Sequence, residues 1–410
     1  MICPDANDLQ DLVRELHQQG STWVPCGLGS RLDWGPPLQD CLPVSCGGLR
    51  GIVEHKPGDF TISVRAGTPL LEVQEALAPH RQWLAVDQPW GSQRLGSGSV
   101  GGLVARGLAG GYRQRYLGIR DQLIGLSLLR ADGIAAKAGG RVVKNVAGYD
   151  LMRLFCGSWG SLGLITELNL RTLPLAPMRR GLLVQGALNE LGALSQWLLG
   201  SRLSPERVDW WSAPLAAAAG LEAAPLLLIA LASISTESLA EQQAAIAAHS
   251  RLPLRQLEAE ALESLLACAR GDEAMPGAGR HQAGAPDDDL GSEPAWLLRL
   301  GVSPDQVPQA LASPELEGLV IDLAAGSGLG LAWTPAGAGA RGDLQPEAVL
   351  RLRQQCQRLG GWLTVLHQPL GHAVPAWDDA PSRPLIERVK HQFDPQRQLA
   401  PGRLPGVAKP

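Results

Sequence analysis

The first residues that could do chemistry form a glycine-rich loop near the start of this 410-residue chain. A predicted strand at 22–25 runs directly into the sequence CGLGSR at 26–31. Consecutive backbone N–H groups in such a loop can bind a pyrophosphate without the help of a cation. A single G-x-G is also common in ordinary surface turns, and this is the alternative interpretation.

Two further glycine-rich tracts strengthen the phosphate interpretation. The first, GSQRLGSGSVGGLVARGLAGG at 91–111, interleaves small and apolar residues, which suits contact with a flat, bulky ligand better than a flexible linker. The second, RVVKNVAGYDLMRLFCGSWGSLGLITELNLR at 141–171, ends in an apolar run at 162–168 that predicts a buried strand. Closely spaced glycines in both tracts indicate a backbone that something else approaches closely.

Three basic side chains are candidates for binding a substrate carboxylate. They are Arg120, Lys144 and Arg403, each in or beside a glycine-containing segment. A guanidinium group matches a carboxylate with two parallel hydrogen bonds, which favours the two arginines. Structural ion pairs are the alternative interpretation of all three.

No metal site is predicted. His367 and His372 lie close together in HQPLGH without an acidic residue between them, and the acidic triplet at 287–289 is typical of a solvated loop. The seven cysteines are an odd number, which argues against a complete disulfide framework. Only Cys41 and Cys46 are close in sequence, with no second pair for a zinc or iron–sulfur centre. Free thiols are expected.

Composition excludes some classes of protein. The net charge is −4 and the sequence shows no basic face, which argues against a nucleic acid partner. The longest apolar runs, at 214–221 and 223–232, are shorter than the ~20 residues that span a bilayer. The N-terminus lacks the features of a signal peptide. We expect a cytoplasmic protein without a transmembrane segment that reaches a membrane only through partners.

The elements that position these residues fall into three parts, 1–175, 176–345 and 346–410. The pattern predicts an α+β fold in which strands alternate with helices. Residues 271–293, rich in Pro, Gly and Asp, predict a disordered loop. The principal predicted elements are helices at 5–20, 188–200, 236–249, 346–360 and 384–393, and strands at 49–55, 61–66, 123–129, 225–231, 295–301, 318–323 and 362–366.

Six motifs, taken in order, resemble the FAD-binding fold of the vanillyl-alcohol oxidase / p-cresol methylhydroxylase superfamily. They are CGLGSR (26–31), GIVEHKPGDFTISVRAGTPL (51–70), SVGGLVARGLAGG (99–111), YLGIRD (116–121), KNVAGYDLMRLFCGSWGSLGLITE (144–167) and FDPQRQLAPGR (393–403). The resemblance implies a two-subdomain FAD-binding fold over 1–175. It also implies a reduced α/β cap domain over 176–345 and a C-terminal part, 346–410, that returns to the FAD domain.

The resemblance also implies a set of residues that bind FAD. Its pyrophosphate is expected at the loop 26–31, its flavin and phosphates near 99–102, and its adenosine half at 163–165. No His or Cys stands where this superfamily commonly attaches the flavin, so we expect non-covalent FAD. The implied cofactor-binding residues are Gly27, Leu28, Gly29, Ser30, Arg31, Ser99, Gly101, Gly102, Arg120, Asp121, Gly157, Gly163, Leu164 and Ile165.

Within the superfamily, KNVAGYDL followed by G-S-x-G-x-L-G is most similar to the FAD-binding subunits of glycolate oxidases. This implies an FAD-dependent oxidoreductase subunit of a complex acting on a small 2-hydroxy acid. A catalytic flavoprotein subunit and an iron–sulfur subunit would be its partners. The H-x-x-D-G-N-x-H motif of related catalytic chains is missing here, which favours oxidation on a sister subunit. The alternatives are a self-sufficient FAD-dependent 2-hydroxyacid dehydrogenase and a flavin-free structural subunit.

Overall fold

The structure is a computed structural model that describes residues 1–38, 40–87, 98–142, 149–270, 296–335 and 344–408. The predicted loop at 271–293 and the candidate Lys144 lie outside the described residues. In the described part, no helix is long and apolar enough to cross a membrane.

The strands follow one another along most of the chain, and antiparallel pairing dominates. In chain order they are β1 Trp23–Cys26, β2 Leu42–Ser45, β3 Ile52–Lys56, β4 Thr61–Arg65, β5 Gln82–Trp83, β6 Leu123–Leu129, β7 Ala135–Gly139, β8 Leu164–Arg171, β9 Leu173–Pro174, β10 Met178–Gln185, β11 Arg207–Trp211, β12 Leu226–Ser233, β13 Leu254–Leu257, β14 Leu297–Gly301, β15 Val320–Ala324, β16 Leu329–Trp333 and β17 Trp362–His367.

The longest helices lie in the middle of the chain and near its end. In chain order the helices are α1 Leu9–Gln18, α2 Leu70–Leu77, α3 Val100–Arg106, α4 Arg113–Tyr116, α5 Ile119–Gln122, α6 Met152–Phe155, α7 Leu188–Gly200, α8 Ala213–Ala218, α9 Thr236–His249, α10 Ala259–Ala269, α11 Val307–Leu311, α12 Pro346–Arg358 and α13 Arg383–Phe393, with 3₁₀ turns at Pro57–Asp59, Ala78–His80, Pro304–Gln306 and Pro314–Leu316.

Two sheets and a short antiparallel β5-β9 pair build the described residues of the first part of the chain. Strands β1 and β2 pair in parallel, and β3-β4-β8-β6-β7 form an antiparallel sheet of five strands. The turn at Ala131–Gly133 joins β6 and β7 as the sequence predicts. Helices α2, α3 and α6 cover one face of this sheet, with Val73, Val104 and Phe155 in its core. The α3 helix therefore lies where the sheet meets the β1–β2 pair.

An antiparallel sheet of eight strands, in the order β13-β10-β12-β11-β15-β16-β14-β17, builds the second part. The central strand β12 is apolar on both faces because both are covered. Leu227 and Ile229 pack under the helices on one face, while Leu226 and Leu228 belong to a cluster that also contains Trp159 of the first part. One face of the sheet therefore packs against the first part of the chain. The predicted α+β fold is confirmed.

The last 65 residues contribute to both halves. Strand β17 is part of the eight-stranded sheet, and helix α12 packs against that sheet. Helix α13 packs on the first half through Phe393, whose ring meets that of Phe155 edge to face at 5.4 Å. The main chain of Leu399 then pairs with Trp23 of β1. The domain limits at 175 and 345 stay predictions.

Candidate functional site

A cleft lies between the loop after β1, the start of α3 and the start of β8. It encloses about 940 Å³, part of it open to solvent. Ten of the residues predicted to bind a cofactor line it: Gly27, Leu28, Gly29, Ser30, Arg31, Ser99, Gly101, Gly102, Gly163 and Ile165. Segments that are far apart in sequence thus converge on one site.

The loop after β1 touches the start of α3 so closely that a side chain on Gly27 has no room. A Cβ atom there would stand 1.9 Å from the hydroxyl oxygen of Ser99. The loop is held from behind because Ser45 Oγ donates a hydrogen bond of 2.8 Å to the Gly27 carbonyl. Gly29 has φ +76°, a left-handed conformation that favours glycine. The main chain therefore forms the cleft wall itself.

The first turn of α3 is fixed by three hydrogen bonds. Ser99 caps the helix by accepting a bond of 3.1 Å from the Gly102 amide. The Val100 and Gly101 amides donate to the carbonyls of Thr68 and Ala66 at 2.9 and 2.8 Å. These bonds attach the helix start to the end of β4 and leave little freedom at the cleft.

Three guanidinium groups line the same cleft: Arg31, Arg106 and Arg403. Arg106 donates to the Arg31 carbonyl at 2.6 Å and lies over the Trp159 ring, 3.9 Å from its centroid. Burial lowers the pKa of Arg106 to about 9, and repulsion from Arg403 and Arg31 acts in the same direction. The attraction of Asp33 opposes this shift. Such a crowded set of cations favours a guest with more than one negative charge.

Arg403 is almost completely buried and holds a loop. Its guanidinium donates to the carbonyls of Pro36 and Leu32 at 2.8 and 2.7 Å. Burial lowers its pKa to about 10, against the opposing attraction of Cys41 and Asp33. This predicted carboxylate-binding residue thus lies at the cleft, but both of these hydrogen bonds go to the main chain.

The other predicted residues lie away from the cleft lining. Arg120 is half exposed and forms an ion pair of 3.7 Å with Asp121, which also accepts a bond from the Gly118 amide. Gly157 lies behind α3, where its amide donates to the Val104 carbonyl. The Leu164 side chain packs in the core beneath α1, so only its main chain is available to a ligand. Of the two carboxylate-binding candidates that the structure describes, Arg403 therefore lines the cleft and Arg120 does not.

Arg106 and Trp159 are two of the cleft residues that sequence reasoning missed. Arg106 is the only charged residue in the tract 99–111, and that isolation was a usable signal. Trp159 stands between Gly157 and Gly160 and has φ +56°, an uncommon conformation for an aromatic residue. Strained positions of this kind cluster at functional sites.

A second cavity was not predicted at all. It lies between the two halves and encloses about 1420 Å³, part of it open to solvent. Leu108 lines both this interdomain cavity and the cleft. Buried charges on one face of the eight-stranded sheet line the cavity, including Arg207 and Asp322. The signal in the sequence was the strand RVDWW at 207–211, in which two charged residues, Arg207 and Asp209, lie two positions apart and so share one face.

Arg207 lies among three carboxylates at one end of the interdomain cavity. It forms a short ion pair with Asp209 and longer ones with Asp87 at 3.7 Å and Asp322 at 4.0 Å. One guanidinium cannot neutralise three carboxylates, of which Asp209 is fully buried. Burial and the charges of Asp209 and Asp87 raise the pKa of Asp322 well above its usual value, although Arg207 opposes this.

An Asp322→Asn variant is expected to gain stability relative to the natural chain as the pH rises above about 4. The raised pKa means that the folded state keeps a proton that the unfolded chain has released. The stability from Asp322 is therefore complete below the unfolded pKa and is lost as pH rises toward the folded pKa. Urea unfolding of both chains between about pH 5 and 9 measures the difference. An exposed control, Asp305→Asn, should show no such trend.

The comparisons with known proteins bear on the cleft first. Residues 1–139 match a family described as FAD binding domain. The matched residues include most of the cleft lining. FAD is the cofactor of this chain, and the cleft that Gly27, Ser99 and Arg106 line fits that molecule. The cleft lining fits FAD because exposed main-chain N–H groups and three arginines suit a dinucleotide that carries two phosphates.

Among the curated relatives that match part of the chain are two glycolate oxidase subunits. Glycolate oxidase subunit GlcE of Escherichia coli (strain K12) is 35% identical over 198 residues, 46% of this chain and 54% of that protein. Glycolate oxidase subunit GlcD of Bacillus subtilis (strain 168) is 32% identical over 162 residues, 39% of this chain and 33% of that protein. The chain thus spans about half or less of the length of these relatives.

A solved structure extends the likeness to both halves. The alkyldihydroxyacetonephosphate synthase structure aligns with a TM-score of 0.63 over 97% of this chain and 74% of that one. The sequence identity is 12%, so the likeness shows the fold alone. It confirms the expected FAD-binding fold of the p-cresol methylhydroxylase type with a cap domain.

Proposed function

We propose that this chain is the FAD-binding subunit of an oxidase or dehydrogenase complex that acts on a small 2-hydroxy acid. The observation that carries the proposal is the cleft, because most of its lining lies in the residues that match an FAD binding domain. Two proteins to which this chain is similar are named glycolate oxidase subunits, which supports the choice of substrate class. In such a complex the bound FAD would accept two electrons from the substrate. The residues of this chain hold the cofactor and shield it from water.

The cofactor is held without a covalent bond. Cys26 and Cys46 line the cleft, but burial raises the pKa of Cys26 to about 11 and that of Cys46 further. A thiol is a nucleophile only as the thiolate, so both are unreactive near neutral pH. The segments 88–97 and 143–148, which the structure does not describe, contain no His or Cys that could attach the flavin.

The electrons then leave through a partner. The seven cysteines are scattered and lack the spacing of a cluster-binding motif, so an iron–sulfur centre would belong to another subunit. The described residues contain no group of three or more His, Cys, Asp or Glu side chains that could hold a metal ion. A cytoplasmic complex, attached to a membrane only through partners, fits this arrangement.

Purification of the chain tests the proposal. The protein should carry FAD in a nearly one-to-one ratio by absorbance, and acid precipitation should release all of it. Co-purification from the native source should recover a flavoprotein and an iron–sulfur protein with it. A chain that never carries flavin would contradict the proposal and favour a structural subunit. Flavin retained on the precipitated chain would contradict the non-covalent bond alone.

A self-sufficient 2-hydroxyacid dehydrogenase is the second candidate. The interdomain cavity favours it, because that space adjoins the cleft at Leu108 and contains charged side chains. The FAD-loaded chain should be assayed alone with glycolate, D-lactate and a dye acceptor. Turnover comparable to that of the assembled complex would favour this candidate over the subunit.

A further inference from the structure

Arg299 lies on strand β14 and lines the interdomain cavity. The other two lining arginines of the sheet face have carboxylate partners: Arg179 binds Glu206, and Arg207 binds Asp209. Arg299 instead lies over the ring of Trp362, 5.0 Å from its centroid. Among the described residues, no ion pair or hydrogen bond links its guanidinium to an acidic side chain.

No carboxylate is among the groups that shift the pKa of Arg299. Burial and then repulsion from Arg113 lower the pKa of Arg299 to about 10, and Cys156 opposes this. A half-buried cation without an acidic partner is unfavourable in the empty protein, and a bound anion would offset that cost. The position therefore suits an anion that the chain itself does not supply.

The strand register places Arg299 in one row of paired residues with Asp322, which lies at the acidic end of the cavity. Arg299 pairs with Leu331 of β16, and Leu331 pairs with Asp322 of β15. Directly paired residues share a face of the sheet, and two strand spacings amount to about 10 Å. Among the described residues, Asp322 Oδ1 has no hydrogen-bond partner. The cavity thus has a cation at one end and oxygen atoms that can accept a hydrogen bond at the other.

We propose that the interdomain cavity binds a small carboxylate that carries a hydroxyl group on the neighbouring carbon. Its carboxylate binds the Arg299 guanidinium, and its hydroxyl points toward the Asp322 end. This deepens the proposed function, on which it rests, because it gives this chain a substrate site of its own. The cavity adjoins the FAD cleft at Leu108, as a substrate site must.

Calorimetric titration of the FAD-loaded full chain tests the site with glycolate as the probe. Glycolate should bind, and acetate, which lacks the hydroxyl, should bind more weakly. An Arg299→Met variant should bind glycolate about 10- to 100-fold more weakly, since a paired, charge-assisted hydrogen bond is lost. Arg299→Lys keeps the charge but not the planar fork, and its affinity should fall between the two.

Thermal unfolding separates a binding role from a structural one. Removing an unpaired, half-buried charge should leave the melting temperature of Arg299→Met unchanged or higher, whereas the loss of a structural contact would lower it. The matched control is Arg255→Met, an exposed arginine at the edge strand β13 of the same sheet, which should bind glycolate as the natural chain does.

Two results would overturn the inference. One is a FAD-loaded chain that binds no glycolate at concentrations up to about 10 mM, well above the weak end of specific binding. The other is undiminished glycolate binding by both Arg299 variants. Either result leaves the FAD-binding subunit standing, because the flavin absorbance of the same samples reports on that proposal separately.

Discussion

A Gly27→Ala variant is expected to lose at least about nine-tenths of its bound FAD, which corresponds to about 1.4 kcal/mol of binding free energy or more at limiting cofactor. The added Cβ would stand 1.9 Å from Ser99 Oγ and 2.9 Å from Ser99 Cβ. Atoms that are not bonded to each other cannot approach so closely, so the loop must move away from the start of α3. Because Gly27 does not have a positive φ, backbone strain is not the cause. Flavin absorbance per chain after gel filtration measures the loss.

Two variants control this experiment. Gly58→Ala places a Cβ where nothing lies within 4 Å, again without a positive φ, and should keep its FAD. Adding Ser99→Gly to Gly27→Ala removes both clashing atoms, while glycine at a helix N-cap costs only about a few tenths of a kcal/mol. The double variant should therefore recover the FAD content of Ser99→Gly alone. Full flavin in Gly27→Ala would show that the loop does not hold the cofactor.

Local patterns in the sequence predict much of the fold. The helices at 188–200 and 236–249 are found with those bounds, and Ser235 caps the second one as a helix start signal should. The glycine loops also identify the cleft, because glycine there answers a local need for bare main chain. These features depend on residues near one another in the chain, which is why a sequence reveals them.

What the sequence did not reveal depends on distant residues. Strand β14 inserts between β16 and β17, and its register alone puts Arg299 in line with Asp322. The role of Arg106 depends on the main chain of Arg31, 75 residues away. Likewise Arg120 looked available for a substrate, but it is half exposed and paired with Asp121. No short pattern encodes such meetings, so charged residues were the hardest to place.

An Asp394→Ala variant is expected to lower the free energy of unfolding by about 3–5 kcal/mol, as loss of one partner from a buried ion pair does. Asp394 is fully buried and binds Lys390 Nζ at 2.6 Å. It also accepts the amides of Gln398 and Leu399 at 3.0 and 2.8 Å. Lys390 in turn donates to the Ser161 and Leu399 carbonyls, both at 2.7 Å. Urea unfolding followed by tryptophan fluorescence measures the change.

The control for this variant keeps the pair matched. Lys390→Met together with Asp394→Asn removes both charges and leaves an amide oxygen for one backbone donor, so it should recover part of the loss. Asp11→Ala breaks the exposed pair with Arg14 and should leave the unfolding midpoint almost unchanged. A loss in Asp394→Ala no greater than in Asp11→Ala would contradict the prediction.

The same variant should weaken FAD binding, although Asp394 is not among the residues that line the cleft. Asp394 fixes Leu399, whose main chain lies beside Trp23 of β1, and the Ala400 amide donates to the Trp23 carbonyl at 2.8 Å. Strand β1 leads directly into the Gly27 loop. The C-terminal motif therefore acts on the cofactor through β1, and FAD content should fall in step with stability across the Asp394 and Lys390 variants. Destabilised variants that kept full FAD content would show that the β1 loop is held independently of the C-terminus.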